Sequence, residues 1–120
     1  MKSVVPLSLL LALAACGSDP QAAQIEKGKI IFERICSSCH TLGTEIRVGP
    51  PLKGVIGRRI ASVQDFDYSD DMKKDHGSWT PEKLKSYVMG PMQMYPEGRM
   101  VIEPLNAEDA AAVAAFLQHQ

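Results

Sequence analysis

Apolar residues recur at helical spacing in three stretches of this chain, and segments rich in glycine and proline separate them. The first apolar stripe repeats every three or four residues, and this spacing predicts an amphipathic helix. Its members are Ile25, Gly28, Phe32, Ile35 and Cys39. The folded part of the chain is therefore predicted to begin near residue 25.

The second stretch carries a helix signal at both ends. Thr80 can cap a helix with its hydroxyl, and Pro81 suits the first helical position because a backbone N–H has no partner there. Gly90 followed by Pro91 predicts the end of this helix. Its predicted apolar face consists of Leu84, Tyr87 and Val88.

The third stretch predicts a C-terminal helix that begins after Asn106. The amide side chain can cap this helix, and Glu108 and Asp109 place negative charge at its positive end. Its predicted inner face consists of Ala110, Val113, Phe116 and Leu117. A shorter helix is predicted from a cap at Ser69 through Lys74.

The segments between these helices read as long loops. Helical periodicity is lost in residues 41–67, and a second loop is predicted from residue 90 to residue 105. A long loop inside a compact domain is unusual unless it has a function, and enclosing a cofactor would be such a function. No strand is predicted. The predicted fold class is all-α, with three main helices, a short helix and long loops.

The composition indicates one small globular domain. The chain has 120 residues, of which 45% are hydrophobic and 22% are charged, and its formal net charge is -1. Because nucleic-acid-binding domains usually carry a basic excess, no nucleic-acid partner is predicted. Domains of this size often depend on a metal or another non-protein group for part of their core.

The N-terminus resembles an export signal. Lys2 precedes a mainly apolar run over residues 4–15, which is shorter than the ~20 residues of a membrane-spanning helix. Residues 13–16 (Leu-Ala-Ala-Cys) resemble a bacterial lipobox, which predicts a signal peptide over residues 1–15 and a lipid on Cys16. Ordinary cleavage at the Ala-Leu-Ala pattern of residues 12–14 is the alternative, and it would leave Cys16 as a free thiol. Residues 16–24 are predicted to be a lipidated N-terminus and a short polar linker.

The chemistry is concentrated in a Cys-x-x-Cys-His pattern formed by Cys36, Cys39 and His40. On a helix these three side chains can reach one object, because residues three and four apart share a face. Two thiols at this spacing can add to the two vinyl groups of a haem, and the adjacent histidine can then bind the iron.

Three other interpretations of this pattern remain open at this point. A redox-active disulfide usually occurs next to a βαβ unit, which the chain does not predict. A zinc site would need more ligands than His76 and His119 provide in sequence, because neither belongs to a second pair. A plain structural disulfide is the third alternative.

Taken with these cysteines, the rest of the chain resembles class I cytochromes c, and within them the mitochondrial and bacterial c2-like branch. The resemblance covers residues 25–120, which are predicted to form one haem domain. Residues 26–32 resemble the first helix of the family, residues 49–52 and 57–58 its loop on the histidine side, and residues 96–100 its Pro-x-x-x-Met loop. The resemblance implies the class I cytochrome c fold and one haem c bound covalently through Cys36 and Cys39.

The resemblance also implies roles for individual residues. His40 and Met100 would be the axial ligands of the iron, and the Pro50 carbonyl would accept the ring N–H of His40. Tyr87 would lie near the methionine ligand. The haem propionates would be bound by Arg58, Tyr68 and Trp79. Buried carboxylates need donors, and a guanidinium, a phenol and an indole supply them, although each residue alone also has an ordinary structural interpretation.

Met92 and Met94 lie in the same predicted loop as Met100, and loop methionines often serve only as adaptable packing. Met100 is preferred because it follows the proline at the distance typical of the family. Two features depart from the family: Gly98 stands where threonine is frequent, and positions 35, 92 and 93 lack the lysines that are common around the haem edge. An apolar contact with redox partners through residues 91–94 is therefore expected.

The function implied is that of a single-electron carrier between membrane-bound respiratory or photosynthetic complexes, with a cytochrome bc1-like donor and an oxidase or reaction-centre acceptor. With both axial positions filled, no enzymatic activity is expected. The alternatives are a haem enzyme or gas-binding protein with a labile methionine ligand, and a dedicated electron-donating subunit of one enzyme. The protein is expected to be a monomer, exported and lipid-anchored at the periplasmic side of the inner membrane. Without a lipid it would be soluble in the periplasm.

Overall fold

The computed structural model describes residues 1–2 and 17–120. Its helices are α1 (Pro20–Ile31), which continues into a π-helical turn (Phe32–Cys36), α2 (Asp70–Lys73), α3 (Pro81–Met89), α4 (Pro91–Met94) and α5 (Ala107–Gln118). Within these residues the only extended pairing is an isolated bridge between Arg59 and Ser78. The prediction of an all-α fold with long loops is confirmed.

Helix α1 begins earlier than the sequence pattern predicted. The Asp19 carboxylate accepts a hydrogen bond from the Gln21 backbone N–H (3.0 Å), and Pro20 occupies the first helical position. This arrangement satisfies an N–H that would otherwise lack a partner at the helix start. Residues 20–24 are therefore helical, whereas their composition had suggested a linker.

Helices α1 and α5 cross at a glycine. A Cβ atom on Gly28 would overlap the backbone carbonyl of Ala112, so only glycine permits this close approach. One turn further along, the rings of Phe32 and Phe116 pack with their centroids 5.6 Å apart. This crossing places the π-helical turn, which contains Cys36, beside the hydrophobic core.

The predicted starts of helices α3 and α5 are confirmed. Thr80 Oγ1 accepts a hydrogen bond from the Lys83 backbone N–H (3.0 Å), and Asn106 Oδ1 accepts one from the Asp109 N–H (2.8 Å). All four residues predicted for the inner face of α5 are buried. Helix α3 packs against α5, so both helices contribute to one core.

Helix α4 was not predicted. Gly90 ends α3 as expected, but Pro91 then begins a further helical turn through Met94. Proline is tolerated at this first position because its missing N–H would have no intrahelical partner. A helix of four residues is too short to show a periodic pattern, which explains why the region was expected to be a loop.

Between the helices, residues 37–69, 74–80 and 95–106 run as loops around the core. In the part of the chain that the structure describes, no helix has the length and the apolar character needed to cross a membrane. The predicted signal peptide falls almost entirely on residues 3–16, and Cys16 is among them. These positions lie outside the described residues.

Candidate functional site

A cavity of about 590 Å³ lies between the loops and the helical core. Its wall is mainly apolar, and its volume falls within the range of ~300–1,000 Å³ that is usual for cofactor sites. Every site residue predicted within the described chain contributes to this wall. These residues are Cys36, Cys39, His40, Pro50, Arg58, Tyr68, Trp79, Tyr87 and Met100.

The π-helical turn and the residues after it place both thiols and the imidazole at one cavity wall. The backbone N–H groups of Cys39 and His40 both donate to the Cys36 carbonyl, at 3.1 and 2.9 Å. Cys36 and Cys39 are free thiols. Burial raises the pKa of Cys36 to about 11, and the neighbouring Cys39 adds to this effect. Redox-active Cys-x-x-Cys pairs have a lowered thiol pKa instead, which argues against that alternative.

The His40 ring is held by the loop that follows the cysteines. Its Nδ1 atom lies 2.7 Å from the Pro50 carbonyl oxygen. Since a carbonyl oxygen can only accept, Nδ1 carries the proton in this contact and the neutral ring keeps a free lone pair on Nε2. Burial lowers the pKa of His40, while the bond to Pro50 partly opposes this effect. The neutral imidazole is the form that binds metals.

Gly49 allows the loop to pass this close to the imidazole. A Cβ atom at position 49 would overlap the His40 ring, so no other residue fits without a shift of the ring or the loop. The Gly49 backbone N–H donates to the Cys39 carbonyl at 2.9 Å. The Pro50 carbonyl therefore orients the imidazole, and the hydrogen bond from Gly49 to Cys39 holds the loop in place beside the ring.

The predicted propionate partners supply hydrogen-bond donors to the same cavity. Arg58 Nη2 donates to the Pro51 carbonyl (2.9 Å), which uses one of the five N–H donors of the guanidinium. The Tyr68 hydroxyl accepts from the Val63 backbone N–H (3.2 Å), so its own proton can be donated elsewhere. Trp79 is buried at 6% exposure. Buried carboxylates would find donors here.

Three aromatic rings pack in a row at this wall, and two of them, Trp79 and Tyr87, line the cavity. The centroids of Trp79 and Tyr87 are 5.1 Å apart, and those of Tyr87 and Tyr95 are 5.5 Å apart with an edge-on geometry. Burial raises the pKa of Tyr87 to about 12, so its hydroxyl stays protonated at neutral pH. Tyr87 and Met100 line the same cavity.

Two methionines line the cavity, Met100 and Met72. Met92 is 45% exposed and Met94 packs against the hydrophobic core, so neither of the rival methionines considered from the sequence reaches the wall. Met72 was not chosen as a ligand from the sequence because it lies in the predicted short helix of residues 69–74 and not in the second loop, and no local pattern indicates which way α2 faces. The structure thus identifies a different rival to Met100.

The zinc interpretation finds no support in the described chain. These residues contain no cluster of three or more histidine, cysteine, aspartate or glutamate side chains of the kind that holds a metal ion. The His119 ring bonds instead to the Ala115 carbonyl of its own helix (2.8 Å).

The cavity and its donors fit a haem. The apolar wall suits the macrocycle, and the two thiols can react with its vinyl groups. The neutral imidazole offers a free Nε2 to the iron, and the hydrogen-bond donors can bind the carboxylates. A profile of the cytochrome c family matches residues 25–120. This chain belongs to the cytochrome c family.

Individual relatives agree with this assignment. The cytochrome is 42% identical over 91 residues to the cytochrome c-type cyt cy of Rhodobacter capsulatus, a match that covers 75% of this chain but only 46% of that protein. It is 37% identical to cytochrome c2 of Agrobacterium tumefaciens, with 78% of this chain and 88% of that protein covered. Cytochrome cH from Methylobacterium extorquens has a similar structure, with a TM-score of 0.74, 26% identity, and coverage of 80% and 98% of the two chains.

The family assignment establishes the cofactor and the general role. This class I cytochrome c carries haem c bound covalently through Cys36 and Cys39, which have the required Cys-x-x-Cys-His spacing. Its role is that of a haem-based electron carrier. The predicted fold is confirmed by the helical architecture and by the likeness to cytochrome cH.

Proposed function

We propose that this cytochrome relays single electrons with a haem whose iron is bound by His40 on one side and Met100 on the other. The observation that carries the proposal is the meeting of these two side chains at one cavity, together with both cysteine thiols. The two candidate ligands are far apart in sequence. Their placement in one wall therefore depends on the whole fold.

His40 acts as a pre-oriented neutral ligand. The Pro50 carbonyl fixes the proton on Nδ1, which directs the Nε2 lone pair away from the loop. A hydrogen bond of this kind also raises the basicity of the ligand. Met100 contributes a thioether, and a thioether opposite histidine raises the reduction potential. When bound, the haem supplies the one-electron couple of its iron.

Arg58, Tyr68 and Trp79 compensate the negative charge of the propionates. Burying carboxylates without donors would cost several kcal/mol each, on the order of the values known for other buried charges. The guanidinium, the phenolic hydroxyl and the indole N–H provide those donors at the cavity wall.

The exposed edge of the cavity is the expected route for electrons. Val48 and Val101 both line the cavity, and they are 75% and 84% exposed. The wall of the cavity therefore includes residues that are open to solvent. With His40 and Met100 both bound to it, the iron would offer no open site to a substrate, so we expect the protein to act as a carrier and not as an enzyme.

The proposed partners are membrane-bound redox complexes, with a cytochrome bc1-like donor and an oxidase or reaction-centre acceptor. Within residues 91–94, Pro91 is buried and Met94 packs against the core, so the proposed apolar contact with partners rests on Met92, which is 45% exposed on α4. The chain is proposed to be a monomer in the cell envelope, exported by the signal peptide of residues 1–15 and anchored through a lipid on Cys16. The anchor would keep the carrier next to its partners at the periplasmic side of the inner membrane.

Substitution of the two cavity methionines tests the ligand assignment. Met100→Ala is expected to abolish the methionine-to-iron absorption band, open the iron to CO and lower the reduction potential, while the covalent haem remains. Met72→Leu, which keeps a similar volume in the same cavity, is expected to preserve all three properties. Met92→Ala and Met94→Ala should preserve them too. An iron opened by Met72→Leu and not by Met100→Ala would contradict the assignment.

A further inference from the structure

The loop that carries Met100 is attached side by side to one neighbouring stretch of chain. We call residues 95–100 the ligand loop and residues 67–75 the support segment. Three links join them in antiparallel order, since the ligand loop advances while the support segment runs backwards. The linked pairs are Tyr95 with Asp75, Glu97 with Asp71, and Arg99 with Asp67.

The Tyr95–Asp75 link is the most enclosed of the three. The Tyr95 hydroxyl donates to Asp75 Oδ2 at 2.7 Å, and Lys83 Nζ donates to the same oxygen at 2.6 Å. The Gly77 backbone N–H donates to Asp75 Oδ1 at 2.9 Å. Tyr95 is only 4% exposed, and its ring packs edge-on against Tyr87 in the cavity wall. Hydrogen bonds to a charged group are the stronger kind, and the Tyr95 side of this link is shielded from water.

The other two links lie at the surface. Asp71 Oδ2 accepts from the Glu97 backbone N–H (2.9 Å), and Glu97 Oε2 accepts in return from the Asp71 N–H (3.0 Å). Arg99 contacts Asp67, but these side chains are 62% and 80% exposed. An exposed ion pair such as Arg99–Asp67 contributes little, and the two Asp71–Glu97 hydrogen bonds are open to water. Of the three links, the Tyr95–Asp75 link is the one that reaches a buried side chain, so we expect it to contribute most to the position of the ligand loop.

We propose that Asp75 is a positioning residue, which holds the ligand loop through Tyr95 so that the Met100 thioether stays at the iron. This inference rests on the proposed ligation by Met100. Lys83, which donates to the same Asp75 oxygen as Tyr95, belongs to helix α3. The link therefore ties the ligand loop both to the support segment and to a main helix of the core.

A tight turn transmits this restraint along the ligand loop. The Gly98 backbone N–H donates to the Tyr95 carbonyl at 2.9 Å, and a Cβ on Gly98 would lie 2.8 Å from that oxygen. The threonine that is frequent in the family at this position would therefore need a different loop shape. Here the chain has Gly98 and a turn closed on Tyr95, so a shift of Tyr95 moves the residues before Met100.

The test uses the holoprotein and external imidazole, which competes with the methionine sulfur for the iron. Asp75→Asn and Tyr95→Phe both weaken the link, and Tyr95→Phe does so by removing one oxygen from a ring that stays buried. We expect imidazole to bind at least about tenfold more tightly to each variant. This change corresponds to a decrease of about 1.4 kcal/mol in the free energy needed to open the ligand loop. The backbone amides of Glu97 and Gly98 should exchange their hydrogens faster by a similar factor.

Asp70→Asn is the matched control. Asp70 lies in the same segment, but its side chain bonds to Lys73 and not to the ligand loop. The control should leave imidazole affinity and amide exchange at the wild-type values. Unchanged affinity in both Asp75→Asn and Tyr95→Phe would overturn the inference, and so would an equal change in Asp70→Asn.

A double-mutant comparison separates positioning from general loosening of the fold. In a Met100→Ala background the proposed methionine ligand is absent, so Asp75→Asn should no longer alter imidazole affinity. An unchanged tenfold effect in that background would mean that Asp75 acts on the fold as a whole, which overturns the inference. The proposed ligation would fail in a different way: wild-type protein would lack the methionine-to-iron band, and Met100→Ala alone would leave imidazole affinity unchanged.

Discussion

His40 and Pro50 are joined by a hydrogen bond of 2.7 Å that passes directly beside Gly49. Position 49 must be glycine because any Cβ there would overlap the imidazole ring of His40. The close contact explains how a loop without regular structure can fix a ligand in one orientation. Its backbone is both the hydrogen-bond partner of the ring and the surface against which the ring packs.

Gly49→Ala is expected to displace the imidazole or the loop. Overpacking of this kind costs about 1–3 kcal/mol, so the free energy of unfolding of the holoprotein should fall by this amount, with a shift in the reduction potential. Chemical denaturation and voltammetry measure the two effects. Gly43→Ala is the control, since the close contact of its Cβ would be with the flexible Glu45 carboxylate (3.0 Å) and the Thr41 hydroxyl would lie at an ordinary 3.9 Å. Equal stability of the two variants would contradict the proposed contact.

Removal of the attachment residues should unfold the domain. Cys36→Ala or Cys39→Ala leaves at most one thioether, and His40→Ala should prevent a stable holoprotein. Without haem the core loses its largest apolar component, so circular dichroism should show a largely unfolded chain. Ser37→Ala removes a hydroxyl that donates to the Glu33 carbonyl (2.6 Å), and this variant should retain haem and fold normally. A haem-free variant that melts cooperatively would refute this prediction.

Asp75 should make stability depend on acid pH. The bonds from Lys83 and Tyr95 lower the pKa of Asp75 from 3.8 to about 2. Because the folded-state pKa is the lower one, the stabilisation is complete above about pH 4 and is lost as pH falls toward about 2. Since Asp75 is a quarter exposed and water weakens its bonds, we expect its ionisation to contribute about 1–2 kcal/mol to the free energy of unfolding.

The measurement for Asp75 is the free energy of unfolding of wild type and Asp75→Asn across this pH range. The difference between the two proteins should shrink as pH falls, and Tyr95→Phe should give an intermediate profile because one of the donors is removed. A difference that stayed constant from neutral pH to pH 2 would show that ionisation of Asp75 contributes nothing.

The signals that predicted the fold correctly are local ones. Thr80 followed by Pro81, and Asn106 followed by two acidic residues, indicate helix starts whatever the rest of the chain does. The same logic was available at Asp19 and Pro20, where a cap precedes a proline. The small polar residues around them suggested a linker instead, so the start of α1 was predicted too late. Here the local signal was correct and the compositional one was misleading.

The parts that the sequence did not reveal depend on contacts between distant residues. Met72 lines the cavity because the support segment folds across it, and nothing near position 72 indicates this. Asp75 and Tyr95 are 20 residues apart, and their link exists only because two loops run side by side. The cavity residues themselves were identified from family resemblance, since Arg58, Tyr68 and Trp79 taken singly look like ordinary loop or core residues.

The lipid on Cys16 remains a prediction, with a measurable consequence. Since α1 begins at Pro20, only residues 17–19 separate the anchor from the helix. An extended segment from residue 16 to residue 20 spans at most about 14 Å, so the domain would stay close to the bilayer. The carrier could move between neighbouring complexes in the membrane plane but could not cross a wide periplasm.

Cys16→Ser should block lipid attachment and either release the cytochrome or leave an uncleaved precursor. Its haem spectrum should match that of the wild type, because Cys16 has no role at the iron. Two or more acyl chains give stable anchoring where one is marginal, so the wild type should stay with the membranes during fractionation. Wild-type protein that washes off with salt alone would support the soluble periplasmic alternative.

The most direct test of a carrier with two filled axial positions is an absorption spectrum of the purified wild-type holoprotein with and without CO. We predict a methionine-to-iron band in the oxidised protein and no spectral change when CO is added to the reduced protein. A missing band together with a CO-induced shift would mean that the iron is open. That result would contradict His40/Met100 ligation and favour a gas-binding protein or a haem enzyme.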